Sequence, residues 1–139
     1  MAGKGAGEKQ SAGEGLEPGQ GVTLDSALHV RVEEVTYTRR AAQAAAGTEP
    51  VRIRLSVRNS GQDPIDFSIT DVTWKGPTTA PQSADPNPGD MARLSKNYWP
   101  SQSLTGNVRL TVEEPGGVVS FYTVASGEDP AFSVALPRR

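Results

Sequence analysis

The sequence predicts an all-β domain, an antiparallel β-sandwich of six or seven short strands, and three observations carry that expectation. Apolar and polar residues alternate over several brief runs, most cleanly in Val51-Arg-Ile-Arg-Leu-Ser-Val57. Turn chemistry separates the runs, as in Asn59-Ser60-Gly61, Asp63-Pro64 and Pro115-Gly116-Gly117. Helical periodicity is nearly absent.

Taken in order, the elements begin with residues 28 to 37. Leu28, Val30 and Val32 share one parity and Val35 and Tyr37 the other, so a strand there needs one extra residue near Glu33-Glu34 to stay one-faced. Val51, Ile53, Leu55 and Val57 form the next strand. Ile65, Phe67 and Ile69 alternate and then give way to Val72 and Trp74 on the opposite parity, which places a second bulge or bend near Thr70-Asp71. A short strand is possible at Met91-Ala-Arg-Leu94. Val108, Leu110 and Val112, then Val119 and Phe121 with Tyr122 and Val124 facing the other way, and finally Phe132, Val134 and Leu136 complete the set.

Two connections stand out. The segment from Arg39 to Ala46 favours helix by composition, but it is short and lacks an apolar stripe, so a loop with at most two helical turns is expected. The proline-rich stretch from Gly76 to Gln102 greatly exceeds ordinary loops of about 4 to 6 residues, and such loops are functional or disordered.

With 139 residues the chain is one domain by size. Residues 1–21 are dominated by Gly, Ala, Ser, Glu, Lys and Gln, a flexible and disordered linker or stalk, so the sandwich is expected over 22–137. No signal-peptide or membrane-spanning apolar run occurs, so the chain reads as soluble; its linker-like start also suits a chain trimmed of an export signal.

Charge and inventory narrow the function. A formal charge of -2 gives no global field towards phosphate backbones. Arg52, Arg54 and Arg58 stand on the outward face of their strand, where no aromatic residue interleaves with them. If the Asn59–Pro64 turn folds residues 51 to 58 back on 65 to 72, Asp66 meets Arg58, while Glu33 or Glu34 lies near Arg54. The expectation is therefore a wet, salt-bridged sheet face and no nucleic-acid partner.

Cysteine is absent and His29 is the sole histidine, which removes thiol chemistry, the usual nucleophile–base triads and histidine-rich metal cages, and with few methionines copper handling as well. No phosphate-binding glycine loop exists. No cofactor is expected and no catalytic residue is assigned. Asp85-Pro-Asn87-Pro-Gly89-Asp90 imitates the start of a calcium loop, yet Asp90 and Lys96 replace the glycine and glutamate that an EF-hand needs. Asp85, Asn87 and Asp90 are the candidate metal ligands, set against a plain turn.

Tyr98 and Trp99 make the other candidate site. Neighbours on an extended chain face opposite ways, so at least one is expected at the surface, on a long loop of the sort that carries binding hot spots. The opposing reading has Trp99 filling one end of the sandwich, while Trp74, on a strand, is expected inside.

The stretch Val51 to Gly76, with Asn59-Ser60-Gly61, Phe67 and Trp74, and the later Gly106-Asn-Val-Arg-Leu-Thr-Val112-Glu-Glu-Pro115 and Phe132, resembles uncharacterised domains of exported Gram-positive lipoproteins related to the actinobacterial immunoprotective extracellular antigen. Leu110 stands where that family often has an aromatic. The resemblance implies an immunoglobulin-like fold, an extracellular location, and tethering to the outer face of the membrane by a lipid on a cysteine that this chain does not contain. It lends no catalytic residues. The expected function is a non-catalytic surface or secreted domain binding another protein or an envelope component. A small-ligand or cation carrier is the alternative, and a carboxylate-only enzyme has the least support.

Overall fold

The computed structural model describes residues 15–38 and 49–138. Among the described residues, ten strands and one short helix follow in order: β1 (Gly21–Leu24), β2 (Leu28–Tyr37), β3 (Glu49–Asn59), β4 (Ile65–Phe67), β5 (Ile69–Lys75), β6 (Gln82–Ser83), α1 (Pro88–Leu94), β7 (Lys96–Tyr98), β8 (Ser103–Val112), β9 (Val118–Thr123) and β10 (Phe132–Ala135). One four-stranded sheet runs β1-β2-β3-β8, the other β10-β9-β5-β6, and β4 pairs with β7 apart from both. All these strand pairs are antiparallel. The order β2-β3-β8 opposite β10-β9-β5 reproduces the A-B-E and G-F-C neighbour relations of the immunoglobulin fold, with Trp74 as the buried tryptophan of the strand in the C place.

Alternation explains the core. Val51, Ile53, Leu55 and Val57 of β3 all point inward and are buried, as are Leu28, Val30 and Val32 of β2 and Val108, Leu110 and Val112 of β8. They meet Val72, Trp74, Val119, Phe121, Phe132 and Val134 from the facing sheet in one apolar cluster. Phe121 and Phe132 stack across β9 and β10 at 4.8 Å. Both expected parity changes are present: the register of β2 on β3 shifts between Val32 and Glu34, and that of β5 on β9 skips Thr70.

Four expectations need correction. The turn after β3 does not form a hairpin. β3 pairs with β2 and β8, whereas the chain crosses to the other sheet, so Asp66 faces Asn97 on β7 and not Arg58. Met91-Ala-Arg-Leu94 is helical, because Asn87 accepts hydrogen bonds from the N–H groups of Gly89 and Asp90 and Pro88 sits in the first turn. The stretch from Gly76 to Gln102 holds β6, α1 and β7 and is no open loop. The folded part also starts earlier than residue 22: Leu16 is buried and bridges Val134 in parallel, donating to Ser133 O and accepting from Ala135 N. Residues 1–14 of the expected linker, and the 39–46 segment, lie outside the described residues.

The edges are covered by local devices. α1 lies along β8, where Arg109 N–H and side chain bind the Asp90 carboxylate and Arg109 C=O accepts from Asn87 N. Leu16 does the same for β10. On the outer face of β3, Arg52 pairs with Glu34 at 3.6 Å, and Glu34, one of the two glutamates expected near Arg54, lies opposite it.

Candidate functional site at the open end of the sandwich

The end where β2 begins, β3 and β9 end and β8 begins is organised by Asn59. Its side chain is fully buried: Nδ2 donates to Tyr98 O at 2.9 Å and Asp63 O at 2.8 Å, and Oδ1 accepts from Gly61 N at 2.8 Å. Its backbone N–H donates to Gln102 O and its C=O accepts from Ser101 N. One residue therefore ties the end of β3 to two turns. Asn59 was legible only as a turn former, since its sequence signal does not say that both turns converge on it.

Tyr98 and Trp99 part company at this hub. Tyr98 is buried, donates through its hydroxyl to Leu94 O at 2.7 Å, and meets Phe67 edge-on at 6.3 Å. Burial pushes its phenol up to about 12. It presents no contact surface. Trp99 is 59% exposed and opens the turn Trp99-Pro100-Ser101-Gln102, closed by Gln102 N–H donating to Trp99 O. Pro100 at the second position and Ser101 at a φ of 70° at the third give the type II pattern, and Gln102 Oε1 accepts from Trp99 N at 3.0 Å. The indole is thus exposed on a backbone already fixed.

At the same end of the sandwich lies a cleft of about 330 Å³ whose apolar wall includes Leu24, Leu28, Phe67 and Val124, with Asp25 and Asp66 also lining it. Leu28 pairs with Asn59, so the cleft and the Trp99 turn share a support. Val124 is 74% exposed, and with Trp99 it makes up the exposed large hydrophobic side chains among the described residues. Asp25 and Ser26 hold φ values of 49° and 67° with Ala27 N–H donating to Leu24 O, a mirror-image turn without glycine. Such non-glycine positions cost on the order of 1 kcal/mol each. The cleft was not legible in the sequence, because it is assembled from four separated segments.

The candidate cation ligands are differently engaged. Asp90 receives Arg109 Nη2 at 2.9 Å, Nε at 3.0 Å and backbone N at 2.9 Å, and these hydrogen bonds hold its carboxyl below the usual carboxylate range. Asn87 Oδ1 caps α1, and Asp85 accepts from Ser83 Oγ at 3.3 Å. A guanidinium on Asp90 opposes a cation there, and among the described residues no three His, Cys, Asp or Glu side chains are grouped to hold a metal. His29 faces outward, sharing hydrogen bonds with Thr23 Oγ1 at 2.9 Å and Ser60 Oγ at 2.7 Å.

At the opposite end hydrogen bonds tie the strand ends together, beside a groove of about 560 Å³ whose lining includes Thr38, Pro50, Val51, Gln82 and Val112. Trp74 Nε1 donates to Gly116 O at 3.1 Å, Gly116 N donates to the Tyr37 hydroxyl at 2.7 Å, and that hydroxyl donates to Pro137 O. Glu114 accepts from Thr78 N at 2.9 Å and Thr79 Oγ1 at 2.6 Å, and the Thr79 and Thr78 hydrogen bonds hold its carboxyl below the usual range.

The class this geometry defines is an immunoglobulin-like β-sandwich with one end tied by strand-end hydrogen bonds and one built from loops. No protein-family profile and no curated protein matches the sequence. Among solved structures, the chain is similar to YcdA of Bacillus subtilis, provisionally described as a lipoprotein, with a TM-score of 0.53, 18% identity and 79% of this chain covered. It spans only 35% of that chain's length. A functionally unknown protein of Listeria monocytogenes matches with a TM-score of 0.53 and 11% identity over 88% of this chain and 83% of its own. Likeness at this identity shows the fold.

Proposed function

We propose that this chain is a non-catalytic binding domain, displayed on the outer face of a Gram-positive membrane through an N-terminal lipid anchor, that holds another protein or an envelope component at its open end. The observation that carries the reading is the placement of Trp99 and Val124, exposed and both at the end that holds the cleft. An aromatic on a pre-fixed turn loses little conformational freedom on binding, which is how a few residues come to dominate an interface. Ser68, Thr123 and Ser126 line the cleft without an imidazole beside them, while the one histidine is held on the outer sheet face. That supports binding over nucleophilic catalysis. The likeness to a chain provisionally described as a lipoprotein supports the location.

The test compares the wild-type chain with a Trp99→Ser/Val124→Ser variant as bait against a solubilised Gram-positive envelope fraction. Retention of a component by the wild type and its loss with the variant, at an unchanged melting curve, supports the proposal. Equal retention by both chains overturns it.

A further inference from the structure

The loops that build the open end have a one-sided charge. Residues 25–27, 60–68, 99–102 and 124–131 contain Asp25, Asp63, Asp66, Glu128 and Asp129 and no Lys, Arg or His. The whole chain, by contrast, carries 14 basic and 16 acidic side chains. None of these five carboxylates belongs to the ion pairs found among the described residues, which join Arg31 to Glu33, Arg52 to Glu34 and Arg109 to Asp90. The nearest cations by register are Lys96, opposite Phe67 with its ammonium over the Tyr98 ring at 5.4 Å, and Arg58, opposite His29 and Ser103. Neither lines the cleft.

Asp25 and Asp66 are the two of the five that line the cleft, together with Leu24, Leu28, Phe67 and Val124. A purely apolar occupant would desolvate these carboxylates without compensation, and an anionic one would add repulsion. An occupant with apolar side chains for the cleft and Trp99, and cationic side chains for the carboxylates, answers both surfaces at once. A small polyamine offers the cleft wall only short methylene runs broken by ammonium groups, whereas a peptide segment carries whole apolar side chains and cationic ones along one chain.

Resting on the reading of the open end as the binding surface, we infer that its partner presents a cationic, apolar peptide segment, with a Leu- or Phe-like side chain in the cleft and flanking Lys or Arg near Asp25 and Asp66. The mirror-image turn supports this, since its positive φ values hold Asp25 at the cleft before any partner arrives.

The test uses two fluorescein-labelled peptides of about ten residues, one alternating Lys and Leu, the other alternating Glu and Leu, titrated by anisotropy against the full chain. At about 50 mM salt the Lys peptide is expected to bind roughly tenfold or more tightly than the Glu peptide, with the gap shrinking at about 300 mM. Asp25→Asn/Asp66→Asn should bring the two peptides to within about twofold; asparagine tolerates positive φ, so the turn persists. Trp99→Ser/Val124→Ser should weaken both peptides. Equal affinity for the two peptides, no binding of the Lys peptide, or an unchanged preference in Asp25→Asn/Asp66→Asn overturns the inference. Should that happen while Trp99→Ser/Val124→Ser still loses the envelope component, the open end binds a partner that is not cationic. If that variant also retains the component, the binding reading falls with it.

Discussion

The two ends of this sandwich are built from the same kinds of residue and do opposite things with them. At the end opposite the cleft a tryptophan, a tyrosine and a glutamate turn their polar atoms towards backbone groups, so Trp74, Tyr37 and Glu114 tie down the ends of β2, β5 and β8. At the open end the polar convergence has moved inward to Asn59, which binds Tyr98 O, Asp63 O and Gly61 N, and the next aromatic, Trp99, is left outside. The difference teaches where the exposed apolar surface comes from. It is held by satisfied buried hydrogen bonds beneath it, and so can remain exposed without loosening the fold.

The support at both ends is accordingly expensive to remove and the surface of the open end is cheap. Trp74→Ala should cost about 3–5 kcal/mol by cavity formation. Asn59→Ala, which leaves buried backbone groups unpaired, should cost on the order of 3 kcal/mol. Urea unfolding checks both, and a mild Asn59→Ala effect would mean that the open end is simply loose. Tyr37→Phe comes next, at about 1–3 kcal/mol, since the buried Gly116 N–H loses its acceptor. Amide exchange at Gly116 should quicken in that variant while exchange at Gly61 stays as it was.

The two ends should also fail at opposite limits of pH. Glu114 has its folded pKa depressed by the Thr79 and Thr78 hydrogen bonds, so its contribution is present above the ordinary glutamate pKa and is lost as pH falls through the folded value. Tyr98 is raised to about 12 by burial, so its contribution is whole below the ordinary tyrosine pKa near 10 and is lost as pH rises through that window. Amide exchange followed across pH should therefore show the Thr78 amide opening first in acid and the Tyr98 segment first in alkali. The smallest effect is at the surface: Trp99→Ala or Val124→Ser should change stability by no more than about 0.5 kcal/mol. In the wild type, acrylamide should quench Trp99 fluorescence readily and Trp74 hardly at all.

Alternation alone placed Val51, Ile53, Leu55 and Val57 inward, put Trp74 in the core, and located the irregularities near Glu33-Glu34 and Thr70-Asp71, because side-chain direction along a strand is a local property with period two. It also required Tyr98 and Trp99 to face opposite ways. The helix at Pro88–Leu94 was missed: Asn87-Pro88 supplies its cap and first turn, but Met91-Ala-Arg-Leu94 is too short for its apolar pattern to separate helix from strand.

Pairing was beyond local reach. The turn Asn59 to Pro64 has the same composition whether the chain returns beside β3 or crosses to the facing sheet, and only burial of the two apolar faces against each other decided for the crossing. The same holds at the open end. Sequence required the aromatic pair to face opposite ways with at least one member at the surface; Phe67, Leu94 and the Asn59 hub put Tyr98 inside, since contacts made between segments distant along the chain carry no signature within any one of them.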